Sequence, residues 1–314
     1  MQETDVCAIL VTYHPDEELP ARLGSIRRQV GAAVIVDNGS TDAELIMLRK
    51  IAADSAVTLE LNFENLGVAR ALNIGIQRAV TLGYSAVLLL DQDSQVDCDM
   101  VKTLLAIHES FPTRERLAII GSGFRDVHKP SPDPCIGDAF TEQWQDAECV
   151  ITSGTLLPLA AFSVIGPFRD EFFIDFVDLD YCNRARAHGY RVIKSRRLLM
   201  SHSIGAPTLH RMLWTRKWTT NYSADRRYYS VRNRTVILRE YGDYRMSGWA
   251  LKSLFSCLKI SKRIILYERA KAGKLVAVAA GWWDGVHGNL GPRDWRRQRS
   301  RRAFNEIDVN RPRY

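Results

Sequence analysis

The sequence predicts an α/β protein: a mostly parallel sheet covered by helices, followed by a helical and strongly basic C-terminal region. Three observations carry this expectation. Short apolar runs alternate with helix-spaced segments through the first 120 residues, as repeated strand–helix–strand units require. The strand-like runs are nearly continuous in apolar residues, the pattern of strands buried on both faces. The charge also changes sign along the chain. Residues 1–190 carry 15 Lys and Arg against 28 Asp and Glu, and residues 191–314 carry 28 against 8.

The elements follow in order. Residues 6–12 (Val-Cys-Ala-Ile-Leu-Val-Thr) form the first buried strand, and Pro15 and Asp16 open a helix that runs to near Gln29. Residues 33–36 are a second strand running into Asp37-Asn38-Gly39-Ser40-Thr41-Asp42, and 57–61 a third. Residues 66–82 have apolar positions at helical spacing, and Gly83 suits the C-terminal stop. Residues 86–90 and 117–120 are the fourth and fifth strands, and the Pro- and Asp-rich stretch 126–147 is a loop. Residues 150–157 are apolar again, 172–188 begin as a loop and become a helix ending at Gly189, and 192–193 and 198–200 are short strands. Beyond about residue 205 strand signals fade, so 208–240 and 247–283 are expected to be helices with basic faces, followed by a dense basic tail at 293–302. No internal repeat is present. The expected division is 1–205 for the sheet domain and 206–314 for the helical region.

Composition sets the class. The chain of 314 residues is 46% hydrophobic and 25% charged with a net charge of +7, ordinary values for a globular protein with a full core. No run of about 18 apolar residues predicts a membrane span, and from the polar, acidic N-terminal residues no signal peptide is expected. The six cysteines form no Cys-x-x-Cys pair, which argues against a zinc or dithiol motif and for free thiols in a reducing compartment. The basic second half points to an anionic partner.

In parallel sheets the ligand site lies beyond the carboxyl ends of the strands. Thr12, Asp37 and Asp91 each follow an apolar run, so the fold should bring them to one edge. Asp91-Gln92-Asp93 offers two carboxylates at a strand end, where they can face one Mg²⁺ or Mn²⁺ ion directly or through water. An isolated Asp-x-Asp is more often a turn or a cap. Asp37 can accept a hydrogen bond from the imino N–H of a pyrimidine base, although Asn38-Gly39 also makes a plain tight turn. Asn65-Leu66-Gly67-Val68 opens a helix whose N-terminus suits an anion, and Arg70 and Asn73 share one of its faces. The segment from Phe172 to Asp180 holds Asp175, Asp178 and Asp180 among aromatic residues. Apolar surroundings raise a carboxyl pKa, as a general base requires, whereas first-turn carboxylates also serve a helix dipole. His202 follows an apolar run; a lone histidine is more often structural, but this one can complete a metal shell begun by Asp93.

Taken in order, these motifs resemble inverting glycosyltransferases of family 2, which have the GT-A fold. The matching elements are Val11-Thr12-Tyr13, Asp37 to Asp42, Asn65 to Ala69, Leu90-Asp91-Gln92-Asp93-Ser94, Ser153-Gly154-Thr155, Asp178-Leu179-Asp180 with Arg184, Gly189-Tyr190-Arg191, and His202. A narrower resemblance is to bacterial dTDP-L-rhamnose-dependent rhamnosyltransferases. It rests also on Phe172 to Asp178, His202 to Gly205, Arg227-Tyr228-Tyr229-Ser230-Val231-Arg232-Asn233 and Gly281 to Gly288. Many family members have Glu-Asp where this chain has Val177-Asp178, which leaves Asp178 as the base and Asp175 as a helper.

The resemblance implies transfer of L-rhamnose from dTDP-β-L-rhamnose to a glycan or lipid-linked sugar acceptor, as in O-antigen, related surface glycans or rhamnolipids. It implies Asp178 as catalytic base and a divalent metal, Mg²⁺ or Mn²⁺, on Asp93 and His202. Donor contacts are implied at Thr12, Tyr13, Asp37, Asn65, Gly67, Arg70, Asn73, Asp91 and Gln92, with Asp91 turned to ribose or to the outer metal shell. The basic and apolar helices of 247–283 suit peripheral contact with the inner face of the bacterial plasma membrane, or alternatively a homo-oligomer or packing face. Two rivals fit less well. A sugar-phosphate nucleotidyltransferase usually has a Gly-rich basic loop after the first strand, which Tyr13-His14-Pro15-Asp16-Glu17 is not. A nucleic-acid partner is not expected, because the N-terminal half is acidic.

Overall fold

The structure, a computed structural model, describes residues 1–126, 143–202, 208–212, 215–219, 221–242 and 248–293. Four strands form its parallel part: β1 (Val6–Thr12), β2 (Ala32–Asp37), β3 (Val57–Leu61) and β4 (Ala86–Asp91). Helices α1 (Leu19–Arg27), α2 (Asp42–Ile51) and α3 (Val68–Thr81) connect them. Beyond β4 come β5 (Gln95–Val96), α4 (Met100–Ser110), β6 (Leu117–Asp126), β7 (Trp144–Asp146), β8 (Thr155–Pro158), α5 (Leu159–Ile165), α6 (Val177–Ala187) and β9 (Arg191–His202). The sheet order is β3-β2-β1-β4-β8-β6-β9-β5, with β7 pairing β9.

The apolar runs explain the layers, because successive strand residues point to opposite faces. Val6, Ala8 and Leu10 of β1 join Ile35, Leu88 and Leu90 under α1, α2 and α4. Cys7 and Ile9 join Val34, Val36, Val87 and Leu89 under α3, α5 and α6. Both faces are therefore core, as continuous apolar strands require.

The C-terminal region contributes two paired antiparallel strands, β10 (Thr208–Met212) and β11 (Thr215–Thr219), then α7 (Ala224–Tyr241), α8 (Trp249–Tyr267) and α9 (Lys271–His287). Val236 and Ile237 of α7 are buried in the same core as Ile9 and Tyr181. The three helices also share a small core of their own around Val231, Cys257, Ile264 and Val278.

Several expectations are corrected. Residues 208–212 and 215–219 are paired antiparallel strands rather than the start of a helix; their apolar and β-branched positions fit both periods, and Thr208, Thr215 and Thr219 favour the strand. The expected helix over 247–283 is two helices. Glu268 turns inward to accept from Arg227 (2.8 Å) and Lys274 (2.8 Å), and Ala270 reverses the chain at φ 51°. The two short strands at 192–193 and 198–200 are one strand, β9: β6 pairs with it on both sides of an irregularity at 195–197, where its register passes from Lys194 to Leu198, and β7 pairs with Ser195. Trp144–Asp146, read as loop, pairs with β9. The remainder of that loop (127–142), Cys135, Ser203 to Gly205 and the tail from residue 294 lie outside the described residues.

Candidate active site

Parallel register brings the chemistry to one edge. Thr12 is level with Asp37, and Val11 with Asp91. A cavity of about 600 Å³ opens there, lined by Asp91, Gln92 and Asp93 and by residues 173–178 among others, a size suited to a small-molecule ligand. The loop after β4 is held from both sides. Gln92 accepts from the Tyr13 N–H (2.8 Å) and donates to the Tyr13 carbonyl (3.1 Å), so its amide is spent on the β1 loop and leaves the Tyr13 ring 46% exposed. Ser153 accepts from the Asp91 N–H (3.1 Å) and lies 2.6 Å from the Ser94 hydroxyl. Ser153 thus explains the Ser-Gly-Thr motif as a brace for Asp91 and Ser94.

Thr12 and Asp37 are fully buried and bonded to each other (3.1 Å). Asp37 also accepts from the N–H groups of Gly39 (3.1 Å) and Ser40 (2.9 Å) and from the Ser40 hydroxyl. The pair shapes the loop behind the cavity wall and is not on it. Asn38 is on the wall, although its sequence context reads as a turn. Its amide donates to Asn65 (3.0 Å) and accepts from Asn62 (3.2 Å) and the Leu66 N–H (3.1 Å), tying the β2 and β3 loops together.

Helix α3 departs from expectation. Two of its N-terminal N–H groups are taken: Gly67 donates to Asn65 Oδ1 (3.0 Å) and Val68 to the Phe173 carbonyl (2.7 Å). Gly67 has φ 87°, and a Cβ there would fall 2.6 Å from the Phe173 ring, so glycine admits the neighbouring loop; Asn65 and Gly67 both line the cavity, as expected of donor-site residues. One turn on, Asn73 donates to the Phe168 carbonyl (2.8 Å) and Asp170 (2.6 Å) and accepts from the Phe168 N–H (2.9 Å). Arg70 and Asn73 line a separate hollow with Glu60 and Arg78. They are not brought to the cavity, because their face of α3 turns toward residues 168–170.

The loop of residues 173–176 is backbone under strain. Phe173 (φ 63°), Asp175 (φ 63°) and Phe176 (φ 66°) all sit in the left-handed region, at about 1–3 kcal/mol each. Such strain persists only where the surroundings over-determine it. Here the clamp is α7. Asn233 donates its side-chain amide to the carbonyls of Phe172 (2.8 Å), Ile174 (2.9 Å) and Asp175 (2.9 Å). Arg232, fully buried, donates to the carbonyls of Glu171 and Gly291 (each 2.6 Å) and to Asn233 (2.9 Å). Helix α9 backs this helix closely: a Cβ at Gly281 would lie 2.5 Å from the Tyr228 carbonyl, and one at Gly285 2.7 Å from the Arg232 carbonyl.

The three acidic residues of this segment part company. Asp180 is buried and paired with Arg184 (2.9 Å) and Arg169 (3.5 Å), and Arg169 reaches on to Glu240 of α7 (2.8 Å). It is a strut. Asp175 and Asp178 line the cavity. Burial raises the Asp178 carboxyl to about 6, a hydrogen bond from the Leu179 N–H (2.8 Å) partly offsets this, and the neighbouring charges of Asp175 and Asp91 raise it further. At neutral pH this group is mainly ionised yet more basic than an ordinary carboxylate, the property of a general base. Arg226, at the start of α7, also reaches the wall. No spacing in the sequence marks it, although it adjoins the Arg227–Asn233 motif.

Asp91 and Asp93 both line the cavity. Oxygen ligands suit Mg²⁺ or Mn²⁺, and such ions are usually held by one or two carboxylates plus substrate phosphates. Among the described residues no three His, Cys, Asp or Glu side chains gather around one point. His202 ends β9, one residue past the Ser201–Gln95 pair, and so its backbone lies beside this loop. Its side chain is outside what the structure describes.

Residues 7–126 match the profile of glycosyl transferase family 2. The dTDP-rhamnosyl transferase RfbF of Shigella flexneri is 28% identical over 252 residues, 76% of this chain and 81% of that protein. S. aureus TarS 1–349 in complex with UDP-GlcNAc superposes with a TM-score of 0.57 at 14% identity, covering 91% of this chain and 82% of that one. The mannosyltransferase PcManGT from Pyrobaculum calidifontis, in complex with GDP-Man and Mn²⁺, gives 0.55 at 16% identity, covering 99% and 82%. The fold is that of the GT-A glycosyltransferases.

Proposed function

We propose that the chain is a glycosyltransferase of family 2 that transfers L-rhamnose from dTDP-β-L-rhamnose to a hydroxyl of a glycan or lipid-linked sugar, inverting the anomeric carbon; the family profile over residues 7–126 and the 28% identity to a dTDP-rhamnosyl transferase support this reading. The observation that carries the reading is Asp178, which lines the donor cavity together with Asp91 and Asp93 and has its carboxyl raised to about 6. The donor is supported by the relative's activity as a dTDP-rhamnosyl transferase. Asp178 accepts the proton of the acceptor hydroxyl as its oxygen attacks the anomeric carbon, and the bond to the diphosphate breaks. Tyr13 and Asn38 bound the nucleotide end of the cavity, and Asp91 faces the ribose. A divalent cation would be held by Asp93 and His202, with Asp91 at the ribose or in the outer metal shell. When bound, the cation supplies neutralising charge to the departing dTDP.

A donor-hydrolysis panel tests this directly. Turnover of dTDP-rhamnose with Mn²⁺ or Mg²⁺, and not of UDP- or GDP-sugars, is the expected result. Turnover confined to UDP-sugars overturns the donor.

The acceptor is read as membrane-borne, with the enzyme peripheral on the inner face of the bacterial plasma membrane. Among the described residues no helix is long and apolar enough to cross a membrane. Helix α8 turns Leu251, Leu254, Phe255, Leu258, Ile265 and Leu266 to solvent, and Lys252, Lys259, Lys262 and Arg263 are exposed beside them. An apolar stripe with basic flanks and no exposed acid matches an anionic lipid interface. The protein should float with liposomes containing anionic lipid, and Phe255→Ser with Leu258→Ser should leave it in the soluble fraction. A stable dimer that buries this stripe overturns the membrane reading in favour of a second copy.

A further inference from the structure

A nucleotide-sugar brings a diphosphate into the cavity, and the wall that receives it is acidic: Asp91, Asp93, Asp175 and Asp178. Two sources of phosphate binding suggested by the sequence are engaged elsewhere. The N-terminal N–H groups of α3 at Gly67 and Val68 already have acceptors, and Arg70 lines a different hollow. Among the described residues one Lys or Arg lines the cavity, and it is Arg226.

The way Arg226 is held fits an exchangeable partner. Its Nε (3.2 Å) and one terminal nitrogen (3.0 Å) both donate to a single oxygen, Asp175 Oδ1. The other oxygen, Asp175 Oδ2, is buried without a hydrogen-bond partner among the described residues. A two-oxygen fork, the strong form of an Arg–carboxylate pair, is therefore not made. The guanidinium lies over the Tyr222 ring at 4.2 Å, which fixes its plane. Its backbone is equally fixed: Ser223 caps α7 by accepting from the Arg226 N–H (3.2 Å). The next residue, Arg227, is anchored in the buried cluster of Glu268, Lys274 and Asn221. The result is a rigidly mounted cation with a half-made pair, at the wall of a cavity that must accept phosphate.

We propose that Arg226 is a diphosphate-binding residue of the donor site, paired with Asp175 in this structure and exchanging that carboxylate for the phosphate oxygens of the nucleotide-sugar. Phosphate oxygens offer the planar guanidinium the two-acceptor geometry that Asp175 does not. The proposal rests on the cavity being the nucleotide-sugar site, and it gives Asp175 a role opposite to that of a helper base: it competes with the donor for Arg226.

Calorimetric titration of the full-length protein with dTDP and with thymidine tests it. Arg226→Ala should weaken dTDP about tenfold or more and leave thymidine unchanged, because the lost contact is to phosphate. Asp175→Asn should tighten dTDP, because it removes the competitor. Arg226→Lys keeps the charge without the fork and should fall between wild type and Arg226→Ala; it serves as the test if the alanine variant does not fold. If wild type binds dTDP and both Arg226 variants bind it within twofold, the proposal is overturned. If wild type binds UDP or GDP and not dTDP, the donor assignment fails instead. The same variants, titrated with the nucleotide that does bind, then decide the role of Arg226.

Discussion

Two regions build the cavity by different means. The strand-end loops after β1, β2 and β4 are tied to themselves and to one another along the sheet edge: Asp37 holds Gly39 and Ser40, Ser94 N–H reaches back to the Asp91 carbonyl (3.1 Å), and Gln92 holds the Tyr13 backbone. The α7–α9 layer instead reaches out from the C-terminal helices. Asn233 holds carbonyls 58 to 61 residues earlier in the chain, and Arg232 reaches Glu171 across 61 residues. The first region gives the donor a rim that the parallel sheet would offer in any case. The second forces residues 173–176 into strained conformations and so aims Asp178 at the cavity. On the proposed reading the nucleoside end of the donor and the proton transfer fall to separate pieces of the fold, which meet at the diphosphate through Arg226 of α7, and substitutions should separate them.

Asp178→Asn should show the largest effect. Loss of a general base costs about 10²–10⁴-fold in turnover, and dTDP affinity should be almost unchanged because the strand-end loops are untouched. Stability should move the other way. The folded carboxyl sits near 6, above its usual 3.8, so the folded state binds more protons between these values and loses stability as pH rises through that window. At pH 7 Asp178→Asn removes this penalty and should be more stable by roughly 1–2 kcal/mol. Thermal melting from pH 4 to 8 should show the two proteins converging at the acid end. Near-normal turnover in this variant ends the assignment of Asp178, and a large loss of dTDP affinity ends the division of labour between the regions.

Asn233→Ala attacks the clamp alone. It leaves three carbonyls of the 172–175 loop without their donor, at about 1–3 kcal/mol of stability, and displacement of Asp178 should lower kcat about 10–100-fold. The signature is a fall in kcat with dTDP affinity held, together with a shift of the acid limb of the pH–rate profile away from about 6 as the Asp178 environment loosens. A protein that merely melts earlier with the same kcat and the same limb would show that Asn233 supports the fold without aiming the base. Gly281→Ala pushes on the same clamp from behind. The added methyl meets the Tyr228 carbonyl at 2.5 Å, and separating α7 from α9 should cost about 1–3 kcal/mol, with a smaller loss of kcat.

The same contrast explains what could be read from sequence. β1, β2 and β4 are legible because a strand buried on both faces must be continuously apolar, and the parallel rule then places Thr12, Asp37 and Asp91 on one edge. Helix α6 is legible from its acidic start and Gly189 stop. The clamp is not, since an Asn and an Arg inside a basic helix carry no local mark of the loop they hold. Nor is the direction in which a side chain is spent. Gln92 and Asn73 look alike as polar residues near a site, yet both are committed to backbone, one beside the cavity and one away from it. The β10–β11 pair was hidden because its apolar positions satisfy a helical period as well as an alternating one, and only the register of β10 with β11 decides between them.

Arg70→Ala should have the smallest effect, and it tests the strand-end side of the comparison. Arg70 is exposed on the face of α3 that turns to residues 168–170, in a hollow with Glu60 and Arg78. Removing it should change stability by no more than about 0.5 kcal/mol, the usual range for a surface position, and leave kcat/KM for the donor within about twofold. Its neighbour on that face supplies the contrast. Asn73→Ala strips both the carbonyl and the N–H of Phe168 of their partner, so it should cost about 1–3 kcal/mol and still bind dTDP normally. A tenfold loss of donor affinity in Arg70→Ala would mean that α3 rotates its outer face into the site during turnover. The rim would then be a moving part, and the rigid half of the molecule would be the α7–α9 layer.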